Sequence, residues 1–231
     1  YEIEYRMISS EGETIWIRDS VRIVTENDQG KKLRGRMVDI TERKLAEEAL
    51  RRVNRALRVL SHCNEALIRA SDEVAFMEEV CRIIVEDGGY RLAWVGFAEK
   101  DRGQTVRPVA QKGFGDGYLM KVDISWADTK RGRGPTGTAI RTKKPSIARD
   151  ILTDPRYAPW REAAAKRGYA SSIALPLVSD GISFGALNIY GSEPDAFNED
   201  EVKLLSNLAQ DLSYGIMALR ARIQLRLLSS Q

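Results

Sequence analysis

The chain has 231 residues, enough for one or two domains with cores of their own, and is 43% hydrophobic and 30% charged, which excludes a disordered chain. The formal net charge of +3 is too small to argue for a nucleic-acid partner, and no run of eighteen apolar residues is present to span a membrane. Two cysteines, Cys63 and Cys81, make no disulfide framework and suit a reducing cytoplasm, and a start at Tyr1 without a signal pattern suits a segment of a longer protein.

Residues 1–40 alternate. In "YEIEYRMIS" the odd positions Tyr1, Ile3, Tyr5 and Met7 are apolar, as a half-buried strand requires. After the turn "SEGE", "TIWIRDSVRIVT" places Ile15, Ile17, Val21 and Ile23 on one face, and "ENDQGKK" turns again before "LRGRMVDI". The pattern predicts a three-stranded antiparallel meander with a greasy face that so few residues cannot bury. The stretch "EGETIWIRDSVRIVTENDQGKKLRGRMVDITERK" resembles the C-terminal half of a PAS domain, through the spacing of Gly12 and Trp16 and the closing Asp39-Ile40-Thr41. The helices that line a PAS ligand pocket are missing, so the resemblance implies no PAS cofactor. Thr41 is the expected N-cap of the next helix, with Glu42 in its first turn.

From Ala46 the apolar residues follow heptads. Leu50, Leu57 and Asn64 occupy a, and Ala46, Val53, Leu60 and Leu67 occupy d, with Ala49, Ala56 and Cys63 widening the stripe. A signalling helix over 42–70 that joins two modules and pairs with a second copy is one reading; an amphipathic helix on its own domain's core is the other.

A further helix is expected from an N-cap at Ser71 to Gly88-Gly89, then strands in "YRLAWVGFAEKD", "TVRPVAQKG" and "KVDISW". Gly134-Pro135 opens a helix, "WREAAAKRG" is a short one stopped by Gly168, and "ASSIALPLVS" and "ISFGALNIYGS" form a hairpin about Asp180-Gly181. The last helix starts at an Asn198/Glu201 capping box and keeps 3-4 apolar spacing from Val202 to Ile223. The stretches "GYRLAWVGFAE", "GRGPTGTAIRTKKPSIARDI", "SSIALPLVSDGISFGALNIY" and "FNEDEVKLLSNLAQDLSYGI", in this order, resemble a GAF domain over residues 56–220.

The expected fold class is therefore α+β: a truncated PAS meander (1–41), a linker helix (42–70) whose end is shared with the first GAF helix, a GAF-like antiparallel sheet flanked by helices (56–220), and an exit helix (221–231) toward an output domain. The resemblance implies a small-molecule pocket beneath the excursions between strands. Its candidate lining residues are Trp94, Tyr118, Trp126, Asp150, Tyr169, Ser172, Asn188 and Tyr190, though aromatics on apolar strands are more often core than ligand cradle. From Lys130 to Arg149 seven basic residues occur with no acid, and "RGRGPTG" opens a helix there. Arg131, Arg133 and Arg149 are thus candidates to meet an anion at that helix start, against the alternative of a solvated basic loop.

The family's cyclic-nucleotide signature is not matched, because Ile189 follows Asn188 and only two residues separate Phe197 from Asp200-Glu201. Both cysteines lie in the N-terminal helices, away from where a bilin or the family's free methionine sulfoxide reductase would need a thiol. Haem would have to use His62, Cys63 or Cys81. With one histidine no Ser-His-Asp set or histidine metal cluster can be built. The expectation is a non-catalytic sensory region, as in a two-component sensor histidine kinase, that dimerises through its terminal helices, takes an unidentified small molecule, and touches neither nucleic acid nor membrane. The alternatives are a ligand-free GAF spacer for dimerisation, or the regulatory region of a diguanylate cyclase or phosphodiesterase.

Overall fold

A computed structural model describes residues 1–25, 31–113, 117, 119 and 123–229. It divides into two compact units, Tyr1–Arg52 and Val53–Gln231, and the boundary falls inside one continuous helix.

The first unit is the predicted meander: β1 (Glu2–Ile8), β2 (Thr14–Thr25) and β3 (Lys31–Asp39), antiparallel in the order β1-β2-β3, followed by the start of α1 (Thr41–Arg69). Ile17 and Ile40 are its buried apolar side chains among the described residues, while Ile3, Met7, Ile8, Ile23, Leu33 and Met37 stay exposed. The expected cap differs. The Asp39 carboxylate accepts the Thr41 N–H at 2.8 Å, and Thr41 Oγ1 accepts the Trp16 N–H at 2.8 Å. Thr41 therefore ties the helix start to β2 instead of closing the helix end. Glu4 adds a second tie, with the Lys44 ammonium at 2.6 Å and the Arg43 guanidinium at 2.6 Å. These cations and Arg18 hold its carboxyl down at about 2.

The second unit adds α2 (Glu73–Glu86), β4 (Leu92–Ala98), β5 (Val106–Gly113), α3 (Pro135–Thr142), β6 (Ser146–Ala148), a 3₁₀ turn (Pro155–Tyr157), α4 (Arg161–Ala165), β7 (Ser171–Ser179), β8 (Ile182–Gly191) and α5 (Glu199–Ser229). Its five strands form one antiparallel sheet in the order β5-β4-β8-β7-β6. The end of α1 with α2 and α5 covers one face around Val59, Met77, Val95, Leu187, Ile189 and Leu212. The excursion elements cover the other around Leu92, Trp94, Ile140, Trp160 and Tyr190.

Several local expectations shift. The α2 N-cap is Asp72, not Ser71, because the Asp72 carboxylate accepts the Ala75 N–H at 2.8 Å. The strand expected at "KVDISW" lies partly outside the described residues; within them Ser125 forms one isolated bridge to Thr105. On α1 the buried side chains are Ala56, Val59 and Cys63, whereas Leu50 and Leu57 of the heptad a positions are exposed. The helix thus packs on the core with one stripe and presents another to solvent.

Candidate functional site

In an antiparallel pair, residues directly opposite one another project from the same face. Ala174 stands opposite Asn188, Ser172 opposite Tyr190, and Trp94 opposite Asn188. This side chain set points away from the helical layer. Over it sit the start of α3 and the Tyr157–Trp160 segment, and the space between is a cavity of about 20 Å³, room for roughly one water molecule.

Glycine permits the close roof. A Cβ at Gly134 would lie 2.4 Å from the Trp160 ring, and one at Gly137 would lie 2.2 Å from the Gly132 carbonyl oxygen. The loop before α3 is held by Arg141, whose Nη1 donates to the carbonyls of Trp126 (2.8 Å), Ala127 (3.0 Å) and Gly132 (2.6 Å). Below, Thr136 Oγ1 donates to Asn188 Oδ1 at 2.8 Å, and Asn188 Nδ2 donates within its own strand, 3.3 Å from the Ala186 carbonyl. Ser172 Oγ lines the cavity, is buried, and has no hydrogen-bond partner among the described residues. Trp94 Nε1 and Ser146 Oγ, on the same sheet face, also lack partners there.

The residues named from sequence divide accordingly. Ser172, Asn188, Tyr190 and Arg131 line the cavity. Tyr169 packs on Tyr190 with ring centroids 4.9 Å apart, and Trp94 is buried in the sheet beside them. Trp126 instead staples a loop, its Nε1 donating to the Glu99 carbonyl at 2.9 Å, and Asp150 accepts the Leu152 N–H at 2.9 Å in a turn. Neither lines the cavity. Tyr118 lies outside the described residues. Arg133 is paired with Asp128 at 2.8 Å and Arg149 with Asp195, both exposed and off the cavity. The pairing Arg133 guanidinium holds the Asp128 carboxyl below its ordinary range. Arg131 is paired with Asp123 at the mouth. The acids missing from the basic stretch thus come from just before it, Asp123 and Asp128, and from the loop that carries Asp195.

Sequence reasoning missed Thr136, Tyr157 and Trp160. The signal for Thr136 was its place directly after the proline of "GPTG"; Tyr157 and Trp160 carry no local signal, because they reach the site from a separate excursion. His62 lies outside the site, its Nδ1 2.8 Å from Asp87 Oδ2. Cys63 and Cys81 are buried in the core on the helical side of the sheet, and burial pushes the Cys63 thiol up to about 12 and the Cys81 thiol up as well.

The sequence profile of the GAF domain matches residues 70–217. A sensor described as associated with a methyl sulfide methyltransferase, from Methanosarcina acetivorans, is 27% identical over 210 residues; these cover 87% of this chain and 19% of the relative's length. Among solved structures, the GAF domain of a Coxiella burnetii phosphoenolpyruvate-protein phosphotransferase matches with a TM-score of 0.62 at 19% identity, covering 74% of this chain and 97% of that one. The free methionine-R-sulfoxide reductase of Neisseria meningitidis, solved with its substrate, matches with a TM-score of 0.60 at 20% identity, covering 72% and 91%. With its profile match, its antiparallel sheet between two helical layers and its neighbours in fold, this chain belongs to the GAF domain family.

Proposed function

We propose that the chain is the sensory region of a signal-transduction protein, its GAF cavity taking a small molecule and its helices α1 and α5 passing the event on within a homodimer. The observation that carries this reading is the two-sided sheet. On β8, Asn188 faces the cavity while Leu187 and Ile189 pack in the helical core. A ligand that moves β8 therefore moves the floor of the helical layer. The named sensor among the relatives supports it, and a two-component histidine kinase in the cytoplasm is the parent we favour. In that reading β1–β3 and the Asp39-Ile40-Thr41 close are the end of a PAS domain, and the exposed stripe of α1 pairs as a coiled coil with a second copy.

Reductase chemistry is disfavoured, because both thiols are buried with raised pKa on the side of the sheet away from the cavity. One observation favours the spacer reading: a cavity of about 20 Å³ admits a small molecule only if its roof moves.

Thermal shift of the whole chain against a panel of small organic acids, amines, alcohols and nucleotides tests the proposal. A compound should raise Tm by a few degrees in the wild type and fail to do so in Ala174→Leu, which fills the cavity floor. The same compound should change hydrogen exchange in α1 and α5. A panel without any such compound, or a shift that persists in Ala174→Leu, would leave the spacer reading standing.

A further inference from the structure

We infer that the cavity receives a small monocarboxylate, its oxygens met by Ser172 Oγ and the first amides of α3, its apolar body lying against Tyr157, Trp160 and Tyr190. The inference rests on the sensor reading and names the class of its ligand.

The helix start presents an excess of donors. α3 opens with Gly134 as N-cap, which offers no side-chain acceptor, and Pro135, which has no N–H. The Thr138 N–H is taken by the Gly134 carbonyl at 3.0 Å. The N–H groups of Thr136 and Gly137 stand in the first turn, where no intrahelical carbonyl is available, and both residues line the cavity. An independent observation points to the same spot from the opposite wall. Ser172 Oγ is 3% exposed, lines the cavity and has no partner among the described residues. The Asn188 carbonyl is already engaged by Thr136, so the hydrogen-bonding capacity that remains on that side chain is mainly its N–H₂ donor. Buried donors facing one space call for an acceptor with several lone pairs, and a carboxylate supplies about four.

Charge narrows the class. Among the described residues no acidic side chain lines the cavity, and the charged residue that does is Arg131 at its mouth. An ammonium ligand would find no counter-ion among them. A phosphate dianion would bring two charges against one arginine already paired with Asp123, at a desolvation cost that one shared cation does not offset. A single negative charge suits a helix N-terminus with arginine nearby. Shape gives the rest: Tyr157 and Trp160 meet edge to face with centroids 5.8 Å apart, and with Tyr190 they make an aromatic wall. The α3 side of the roof is pinned by Arg141 and by the backbone contacts at Gly137, so the Tyr157–Trp160 side is the part that must yield for entry.

Calorimetry on the whole chain at pH 7 with acetate, propionate and benzoate, each beside its amide, and with methylammonium and inorganic phosphate, tests this. At least one carboxylate should bind, its amide should bind at least roughly tenfold more weakly, and added NaCl should weaken the carboxylate. Ser172→Ala should weaken it by roughly ten- to hundredfold, the range for loss of a hydrogen bond to a charged group, while Arg133→Gln leaves it unchanged. The melting temperature of each variant establishes that it is folded, and Asn188→Asp, which sets a carboxylate beside the ligand, should also abolish binding. If only amides, methylammonium or phosphate bind, or if carboxylates bind Ser172→Ala as well as the wild type, the inference falls while the sensor reading stands. If no compound of this set or of the wider panel binds in the cavity, both fall.

Discussion

Glu201 is a carboxylate with no exposed surface. Its spacing from Asn198 predicts a capping box, and half of one forms, since Asn198 Oδ1 accepts the Glu201 N–H at 2.8 Å. The Glu201 side chain turns inward instead of back to the cap. Its Oε1 accepts from Tyr90 Oη at 2.5 Å and from Arg55 Nη2 at 2.5 Å, and its Oε2 has no partner among the described residues. Arg55 also lies over the Tyr90 ring, 4.3 Å from its centroid, and Tyr90 stacks on Phe197 at 5.9 Å. Burial pushes the Tyr90 hydroxyl up, so it stays a donor to the carboxylate at any ordinary pH. The cluster joins α1, the entry to β4 and α5. Removing the cation leaves a buried charge unpaired, so Arg55→Met should cost about 3 kcal/mol in urea denaturation, and the double variant Arg55→Met/Glu201→Leu should recover much of that. A loss of only a few tenths of a kcal/mol for Arg55→Met, the usual value of a surface pair, would show that the cluster does not join these elements.

Gly215 stands in the middle of α5, where propensity alone would favour alanine by about 1 kcal/mol. A Cβ there would lie 2.5 Å from Leu67 Cδ1 and 2.7 Å from Phe76 Cε1. Helices α1, α2 and α5 thus meet at a point with no room for a methyl group. Gly215→Ala should therefore destabilise by about 1–3 kcal/mol, as overpacking does, and a rise in melting temperature would refute the tight contact. Elements of this kind were largely readable from their spacing. The α5 stripe Leu205, Ala209, Leu212, Ile216 and Leu219 is buried as its 3-4 rhythm predicts, although Ile223 is exposed. The turn at Asp180-Gly181 takes positive φ at both residues (49° and 73°), as a two-residue hairpin of that sequence should. Reading the site was harder. The GAF sheet is covered on both faces, so its strands run apolar without alternation, and nothing local says whether Trp94 or Val95 faces the cavity. The Thr136–Asn188 contact joins residues 52 apart in sequence, and Arg149 finds its acid in Asp195, 46 residues on. Such pairings are set by tertiary packing and leave no periodic trace.

At the scale of the whole molecule, α1 has two apolar stripes and uses one. Leu50 and Leu57 remain 62% and 45% exposed although the same helix buries Ala56, Val59 and Cys63. In the proposed homodimer the free stripe meets its copy. Light scattering should then give twice the mass of the chain, and Leu57→Lys should shift it toward monomer; a concentration-independent monomer of the wild type would end that proposal. The one-layer sheet carries a further consequence. Adjacent residues of β8 serve two clients across a single peptide bond, Asn188 the cavity and Leu187 the helices. In the proposed sensor, where a ligand shifts the helical side through β8, thermodynamic reciprocity makes the coupling mutual: stiffening that side changes affinity by the factor that the ligand imposes in return. Clamping α5 to a rigid partner, or releasing it, would then retune the proposed site without touching a single residue that meets its ligand.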